Sequence, residues 1–212
     1  MRPVLLTGFD PFGRDTRNPS QEIAEKLDDV VLGRRRVVGR VLPCVFGESI
    51  KVLKRLIRDE RPELVICLGM AGGRTDITPE RVAINLDEAR IPDNAGQEPV
   101  DRPVVKNGPA AYFSTLPIKA IVSGLKERDV PASVSSTAGT FVCNHVFYGL
   151  MHLLDGKRAI RGGFIHVPYL PEQAQRGEPS LPLGVMVDAI AFAIEVSLRT
   201  KRDLRSGGGE LH

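Results

Sequence analysis

The chain alternates short apolar runs with segments whose apolar residues recur at helical spacing. The runs predict strands at residues 4–8, 36–42, 64–69, 132–136 and 163–167, with an edge strand at 81–86. Several runs are continuously apolar, which is typical of parallel strands covered on both faces. Helical spacing follows in segments that begin at residue 18 and in residues 48–59, 118–128, 141–154 and 183–198. This alternation predicts an α/β fold, a three-layer sandwich whose mostly parallel central sheet is flanked by helices.

Two helices have readable ends or faces. The first is predicted to begin at Asn18, with Pro19 at the first helical position and Gln21 at the capping-box position. The last helix is predicted to present one apolar stripe to the core. That stripe consists of Val185, Ala189, Phe192 and Val196.

Residues 87–116 break the alternation. This segment contains four prolines among polar residues and predicts a long irregular excursion, of the kind that is usually functional or disordered. The last residues, 206–212, contain three consecutive glycines and predict a flexible tail. The length of the remaining chain, 1–205, is that of a single domain.

Composition narrows the function classes. Hydrophobic residues make up 42% and charged residues 26% of the 212, and no apolar run is long enough to cross a bilayer. The amino terminus leads directly into a strand without a signal peptide, so we expect a cytoplasmic protein with reduced thiols. The net charge is only +3, and the run Arg34–Arg36 is typical of a solvated turn, so no nucleic-acid partner is expected. Three irregularly spaced cysteines favour neither a disulfide framework nor a zinc site, and we expect no metal and no cofactor.

Cys143 is the candidate nucleophile. It follows a strand and a small-residue turn at Ala138 and Gly139, and it falls in the first turn of a predicted helix. The helix dipole there favours the thiolate, so we expect its pKa to lie below the usual value of about 8.5. The free N–H groups of that turn are suited to hold an oxyanion. The alternative is a small residue selected for packing. Cys67, within a predicted strand, is expected to be a buried core thiol, and nothing beside Cys44 would activate it.

A cysteine nucleophile requires a base and a group that orients the base. His166 is the best candidate base because it lies near the carboxyl end of a strand, where open parallel sheets bind their ligands. A purely structural histidine is the alternative. For the acid, the sequence leaves Glu80, Asp76 and Glu88 open.

Four stretches resemble one known family. They are TGFDPFG (7–13) with NPS (18–20), GMAGGRT (69–75) continuing through ERVAIN (80–85), STAGTFVCN (136–144) and FIHVPYLP (164–171). In order and spacing they resemble the pyroglutamyl peptidase I family of cysteine peptidases, over nearly the whole chain. The resemblance implies a triad in which Cys143 attacks, His166 takes its proton and Glu80 orients the imidazole.

The resemblance also implies the substrate, the pocket and the assembly. Members of the family remove an amino-terminal pyroglutamyl (5-oxoproline) residue from peptides through a thioester, and often form dimers or tetramers. The side chains that would hold the lactam ring are Phe9, Phe12, Phe141 and Val142. The groups that would contact its polar edge are Asn18 and the backbone near Met70 and Ala71, with Arg90 near the triad and Ile91 as a wall. Position 70 is Met where many members carry Gln.

Three other functions stay open at this point. The triad could serve a cysteine amidase that acts on another small cyclic amide. The same fold with a silent triad would be a non-catalytic binding protein. A nucleotide-binding protein is disfavoured because the turn at residues 8–13 lacks both G-x-G-x-x-G and a Walker lysine.

Overall fold

The fold is taken from a computed structural model that describes residues 1–13, 15–157, 159–175, 177–205 and 207. The predicted tail, 206–212, lies outside these residues except for Gly207. The strands are β1 (Val4–Phe9), β2 (Val31–Leu32), β3 (Arg35–Leu42), β4 (Leu64–Met70), β5 (Thr78–Pro79), β6 (Val82–Ile84), β7 (Ala111–Phe113) and β8 (Arg161–Val167). The helices are α1 (Pro19–Lys26), α2 (Glu48–Glu60), α3 (Ile118–Lys126), α4 (Val142–Leu154) and α5 (Leu183–Arg199). Within the described ranges, no helix is long and apolar enough to cross a membrane.

The central sheet has the strand order β2-β3-β1-β4-β8-β5. The four inner strands, β3, β1, β4 and β8, are parallel, and the short strands β2 and β5 add antiparallel edges. Because the parallel strands end together, their carboxyl ends form one rim of the sheet.

The strands divide their side chains between two apolar cores because successive residues point to opposite faces. Leu6, Ile66 and Ile165 belong to the core under α1, α3 and α5. Leu5 and Cys67 belong to the core under α2 and α4. The predicted α/β three-layer sandwich is therefore confirmed, and Cys67 is the fully buried core thiol that its sequence context predicts.

Helix α1 begins as the sequence predicts. The side chain of Asn18 accepts a hydrogen bond from the amide of Ser20 at 3.0 Å, and Pro19 occupies the first turn. The capping-box prediction for Gln21 is wrong, because its side chain donates to Glu25 instead. A Cβ on Gly8 would lie 2.0 Å from the carbonyl oxygen of Ser20, so glycine at that position allows the helix to lie directly against β1.

Two strand predictions need correction. Residues 132–136 form no strand and make only isolated bridges, at Ala132 and Ser135. The run 81–86 is not an edge of the main sheet, since its strand β6 pairs with β7 in a separate two-stranded sheet. In both cases the sequence pattern did not indicate which segment would pair with the run, because strand pairing is decided by tertiary contacts.

The excursion after β6 is mostly irregular apart from β7, as predicted, but it is tied down internally. Asp93 is buried and accepts hydrogen bonds from the amides of Phe46, Ala95 and Gln97. In α5 the predicted stripe is correct except for Val185, which is 36% exposed at the start of the helix.

Candidate active site

His166 and Glu80 are brought together by strand pairing. In β5, Thr78 pairs with His166 of β8, and the amide of Glu80 then donates to the carbonyl of Phe164 at 2.9 Å. The Glu80 carboxylate lies 2.7 Å from His166, between Oε1 and Nδ1, and both side chains are buried. The carboxylate therefore holds the proton on Nδ1 and leaves Nε2 as the basic nitrogen.

Helix α4 places Cys143 at the same end of the sheet as His166 and Glu80. Its side chain lies in the first turn, and its sulfur packs on Gly69, where an added Cβ would be 2.8 Å from Sγ. Gly69 is the neighbour of His166 in the β4–β8 register. The nucleophile candidate therefore lies at the carboxyl rim of the sheet, beside the strand that carries the imidazole.

The electrostatics of the thiol differ from the sequence-based expectation. Burial, followed by the negative charge of Glu80, raises the pKa of Cys143 to about 12, although the charge of Arg74 acts in the opposite direction. The expected lowered pKa is wrong because desolvation of the thiolate outweighs the favourable position in the helix. Burial also lowers the pKa of His166 below 6.5, against the opposing effect of Glu80. Both shifts favour the uncharged forms, the thiol of Cys143 and the neutral imidazole of His166.

Among the acids that the sequence left open, the structure pairs only Glu80 with His166. Asp76 accepts a hydrogen bond from the neighbouring Thr75, and Glu88 is exposed. The distinction depends on the β5–β8 pairing, which the sequence did not reveal.

Aromatic rings flank the nucleophile's helix. Phe141, the cap residue of α4, lies 5.9 Å from the ring of Phe12 and 5.4 Å from that of Phe46, measured between centroids. Phe9, by contrast, is 2% exposed and packs in the core, 6.4 Å from Phe164. Phe12 and Phe141, both half-buried, are therefore the rings within reach of a ligand at the rim.

The chain is similar to known proteins over almost its whole length. The family model described as pyroglutamyl peptidase matches residues 2–200. The chain belongs to the pyroglutamyl peptidase family. It is 58% identical to the pyrrolidone-carboxylate peptidase of Klebsiella pneumoniae (strain 342), with both chains fully covered. The resemblance found in the sequence, and the assignment as a peptidase of this family, are thereby confirmed.

Solved structures of the family have the same fold. Pyroglutamyl peptidase I from Bacillus amyloliquefaciens superimposes with a TM-score of 0.95 at 50% identity, covering 97% of this chain and 99% of that one. A mutant pyrrolidone carboxyl peptidase from Pyrococcus furiosus gives a TM-score of 0.89 at 44% identity, covering 92% and 98%.

The remaining residues implied by the family resemblance occupy several environments. Asn18 is 1% exposed, and its side chain bonds Ser20 and the carbonyl of Asp10, as a cap does. The amide of Ala71 donates to Val167 at 2.9 Å. Met70 and Val142 are buried, and Arg90 is exposed. Ile91 beside it is 46% exposed. Their roles in binding substrate stay predictions.

The structure adds three features that the sequence interpretation missed. Arg74 donates to Glu80 at 2.7 Å, Phe46 packs on Phe141, and His145 forms a buried pair with Asp87. Phe46 had a usable signal, since it lies in a turn just beyond the carboxyl end of β3. The other two depend on contacts between distant segments. Across the described part of the chain, no three His, Cys, Asp or Glu side chains gather as a metal site would require.

Proposed function

We propose that this protein is a cysteine peptidase that removes an amino-terminal pyroglutamyl residue from peptides. The observation that supports this most directly is the convergence at one rim of the sheet. The Cys143 sulfur rests on Gly69, and the strand beside Gly69 carries an imidazole that Glu80 orients at 2.7 Å. The family membership supports the substrate class.

The first half of the reaction forms a thioester. His166 Nε2 takes the proton from the Cys143 thiol as Sγ attacks the pyroglutamyl carbonyl carbon. The carbonyl oxygen gains negative charge, and the free N–H groups of the first turn of α4 stabilise it. The C–N bond then breaks, and the imidazolium gives its proton to the departing amine.

The second half releases the product. With His166 as the base, water loses a proton and attacks the thioester carbonyl. The C–S bond breaks, Sγ regains a proton from His166, and free pyroglutamate leaves. Because the direction of both shifts favours the uncharged thiol and imidazole, proton transfer is expected to accompany the first attack instead of preceding it.

The substrate explains the aromatic residues at the rim. A pyroglutamyl residue has neither a free α-amine nor a side-chain carboxylate, so its pocket should be largely apolar with few polar contacts. Phe12 and Phe141, with Phe46 behind them, offer such a wall next to Cys143. The lactam ring would stack against it.

Hydrolysis of a chromogenic pyroglutamyl amide tests the proposal. We expect turnover by the wild type and none by Cys143→Ser or His166→Ala, with a prolyl amide of the same leaving group as the specificity control. Competition by other small cyclic amides distinguishes a broader amidase. Wild-type protein without turnover, or a Cys143→Ser variant with full activity, contradicts the proposal.

We also propose, as an extension of the family membership, a cytoplasmic homo-oligomer, either a dimer or a tetramer. In the proline-containing excursion, the side chains of Val100 and Phe113 are 71% and 69% exposed, and apolar side chains so placed suit a subunit contact. Light scattering after size exclusion measures the state. A strictly monomeric protein at micromolar concentration contradicts this part of the proposal without affecting the chemistry.

A further inference from the structure

Arg74 lies in the loop between β4 and β5 and connects three segments of the site. One guanidinium nitrogen, Nη1, donates to Glu80 Oε1 at 2.7 Å and to the hydroxyl of Thr78 at 2.8 Å. The other, Nη2, donates to the carbonyl of Thr137 at 2.9 Å. Thr137 belongs to the turn that precedes the helix of Cys143. The guanidinium therefore joins the segment of the acid to the segment of the nucleophile.

This ion pair differs from an ordinary surface pair. Glu80 is fully buried, whereas the Arg74 side chain is 29% exposed. Arg74 Nη1 and His166 Nδ1 both donate to Oε1, and Glu80 Oε2 has no hydrogen-bond partner among the described residues. A buried carboxylate requires paired charge and hydrogen bonds. Arg74 supplies the only full positive charge that the described contacts give it.

We propose that Arg74 is a positioning residue for catalysis, which fixes the Glu80 carboxylate so that Glu80 can orient His166. The proposal rests on the proposed function for its catalytic readout. Arg74 does not touch the thiol or the proposed lactam pocket in the described contacts, so its main effect should pass through Glu80. The expected signature is a lower kcat with little change in KM.

The charge of Arg74 also acts on the two reacting groups. Its contribution lowers the pKa of Cys143, which favours the thiolate, and lowers the pKa of His166, which makes the imidazole a weaker base, so the two effects oppose each other in the proton transfer. Arg74 also lines a cavity of about 280 Å³, together with Thr78, Ser135 and Thr137. Truncating its side chain would therefore leave a space that opens toward solvent and could admit a small cation.

Chemical rescue is the decisive experiment. We expect Arg74→Ala to reduce kcat about 10- to 100-fold, the loss of one hydrogen bond to a charged group. Millimolar guanidinium chloride should restore much of that kcat, whereas urea, which has a similar planar shape and no charge, and sodium chloride should not. Arg74→Lys should retain more activity than Arg74→Gln. Arg58→Ala, which removes an arginine paired with Asp59 on α2, is the control and should leave kcat unchanged.

A double-mutant cycle tests the route through the carboxylate. In a Glu80→Gln background, Arg74→Ala should cause a much smaller loss of kcat than in the wild-type background. Three results would each overturn the proposal. The first is a wild-type kcat in Arg74→Ala, and the second is an additive loss of kcat in the cycle. The third is a folded Arg74→Ala protein whose kcat guanidinium does not restore. If Arg74→Ala fails to fold, equal kcat values for Arg74→Lys and Arg74→Gln overturn it.

Alkylation of Cys143 by iodoacetamide gives a readout that needs no substrate. Cys44 and Cys67 are 3% and 0% exposed, so Cys143 should be the thiol that reacts first. At fixed pH the rate should fall in Arg74→Ala and recover with guanidinium. If the alkylation rate changes in this way but the wild type does not cleave pyroglutamyl amides, the proposed substrate is contradicted and the role of Arg74 is left intact.

Discussion

The sulfur of Cys143 rests on the α-carbon of Gly69. A Cβ at Gly69 would lie 2.8 Å from Sγ and 2.8 Å from the ring of Phe164. Real Cβ atoms do not approach other atoms so closely, so any other residue at this position would move the thiol. Gly69 thus lets helix α4 bring the nucleophile down onto the strand beside His166.

Gly69→Ala should therefore impair catalysis more than stability. We expect kcat to fall on the order of 10²-fold as the thiol is displaced, and the free energy of unfolding to fall by about 1–3 kcal/mol from overpacking. Gly184→Ala is the matched control, because nothing lies within 4 Å of a Cβ there. Kinetics and urea unfolding of both variants measure the two effects. Unchanged kcat in Gly69→Ala would show that the contact does not position the thiol.

The raised pKa of Cys143 predicts how the free thiol responds to pH. With a pKa of about 12, only about one thiol in 10⁴ is ionised at pH 8. The rate of alkylation by iodoacetamide should consequently rise about tenfold per pH unit from pH 7 to 10, without a plateau. Mass spectrometry of the modified peptide gives the rate at each pH. A plateau near pH 7 would instead indicate a preformed thiolate–imidazolium pair.

The lowered pKa of His166 predicts the acid limb of the activity profile. Burial of the ring favours its neutral form, so the base loses activity only when the pH falls below its pKa, which is under 6.5. The acid limb of kcat/KM for a pyroglutamyl amide should have its midpoint below that value. Measurement from pH 4 to 9 in buffers of constant ionic strength decides this. A midpoint above 6.5 contradicts the direction of the shift.

Phe9 and Phe12 should separate into a core residue and a pocket residue. Phe9 is 2% exposed, so Phe9→Ala should lower the free energy of unfolding by about 3–5 kcal/mol. Phe12 is half-buried against Phe141, and Phe12→Ala should mainly raise KM for the pyroglutamyl amide. Urea unfolding and steady-state kinetics on both variants measure the contrast. If Phe12→Ala leaves KM unchanged, the ring does not contact the substrate.

The sequence predicted what depends on local pattern. The turn and helix start around Cys143, and the place of His166 near a strand end, are local features, and both indicated the same rim, although the strand predicted before that turn does not form. The choice of Glu80 came only from the family resemblance, because its contact with His166 depends on antiparallel pairing between segments 86 residues apart. The predicted direction of the Cys143 pKa shift was wrong for a similar reason. The burial that raises this pKa depends on side chains packed from other segments, which the helix turn alone does not indicate.

A second imidazole–carboxylate pair beside the site has a different role. His145 Nδ1 lies 2.9 Å from Asp87, and His145 Nε2 accepts a hydrogen bond from the amide of Gly47 at 2.8 Å. Because an amide can only donate, the proton resides on Nδ1 and the ring connects α4, the excursion and the turn before α2. Phe46, next to Gly47, packs edge-on against His145 and against Phe141. The pair thus holds the back of the aromatic wall.

His145→Phe should remove both hydrogen bonds and leave the buried Asp87 carboxylate without its principal donor. We expect the free energy of unfolding to fall by about 1–3 kcal/mol. KM should rise, because the turn that carries Phe46 is released, while the chemistry at Cys143 continues. Lys54→Ala, at an exposed position on helix α2, is the control and should change neither quantity appreciably. If KM is unaltered in a destabilised His145→Phe variant, the role of the His145–Asp87 pair is limited to stability, because the aromatic wall would then keep its shape without the pair.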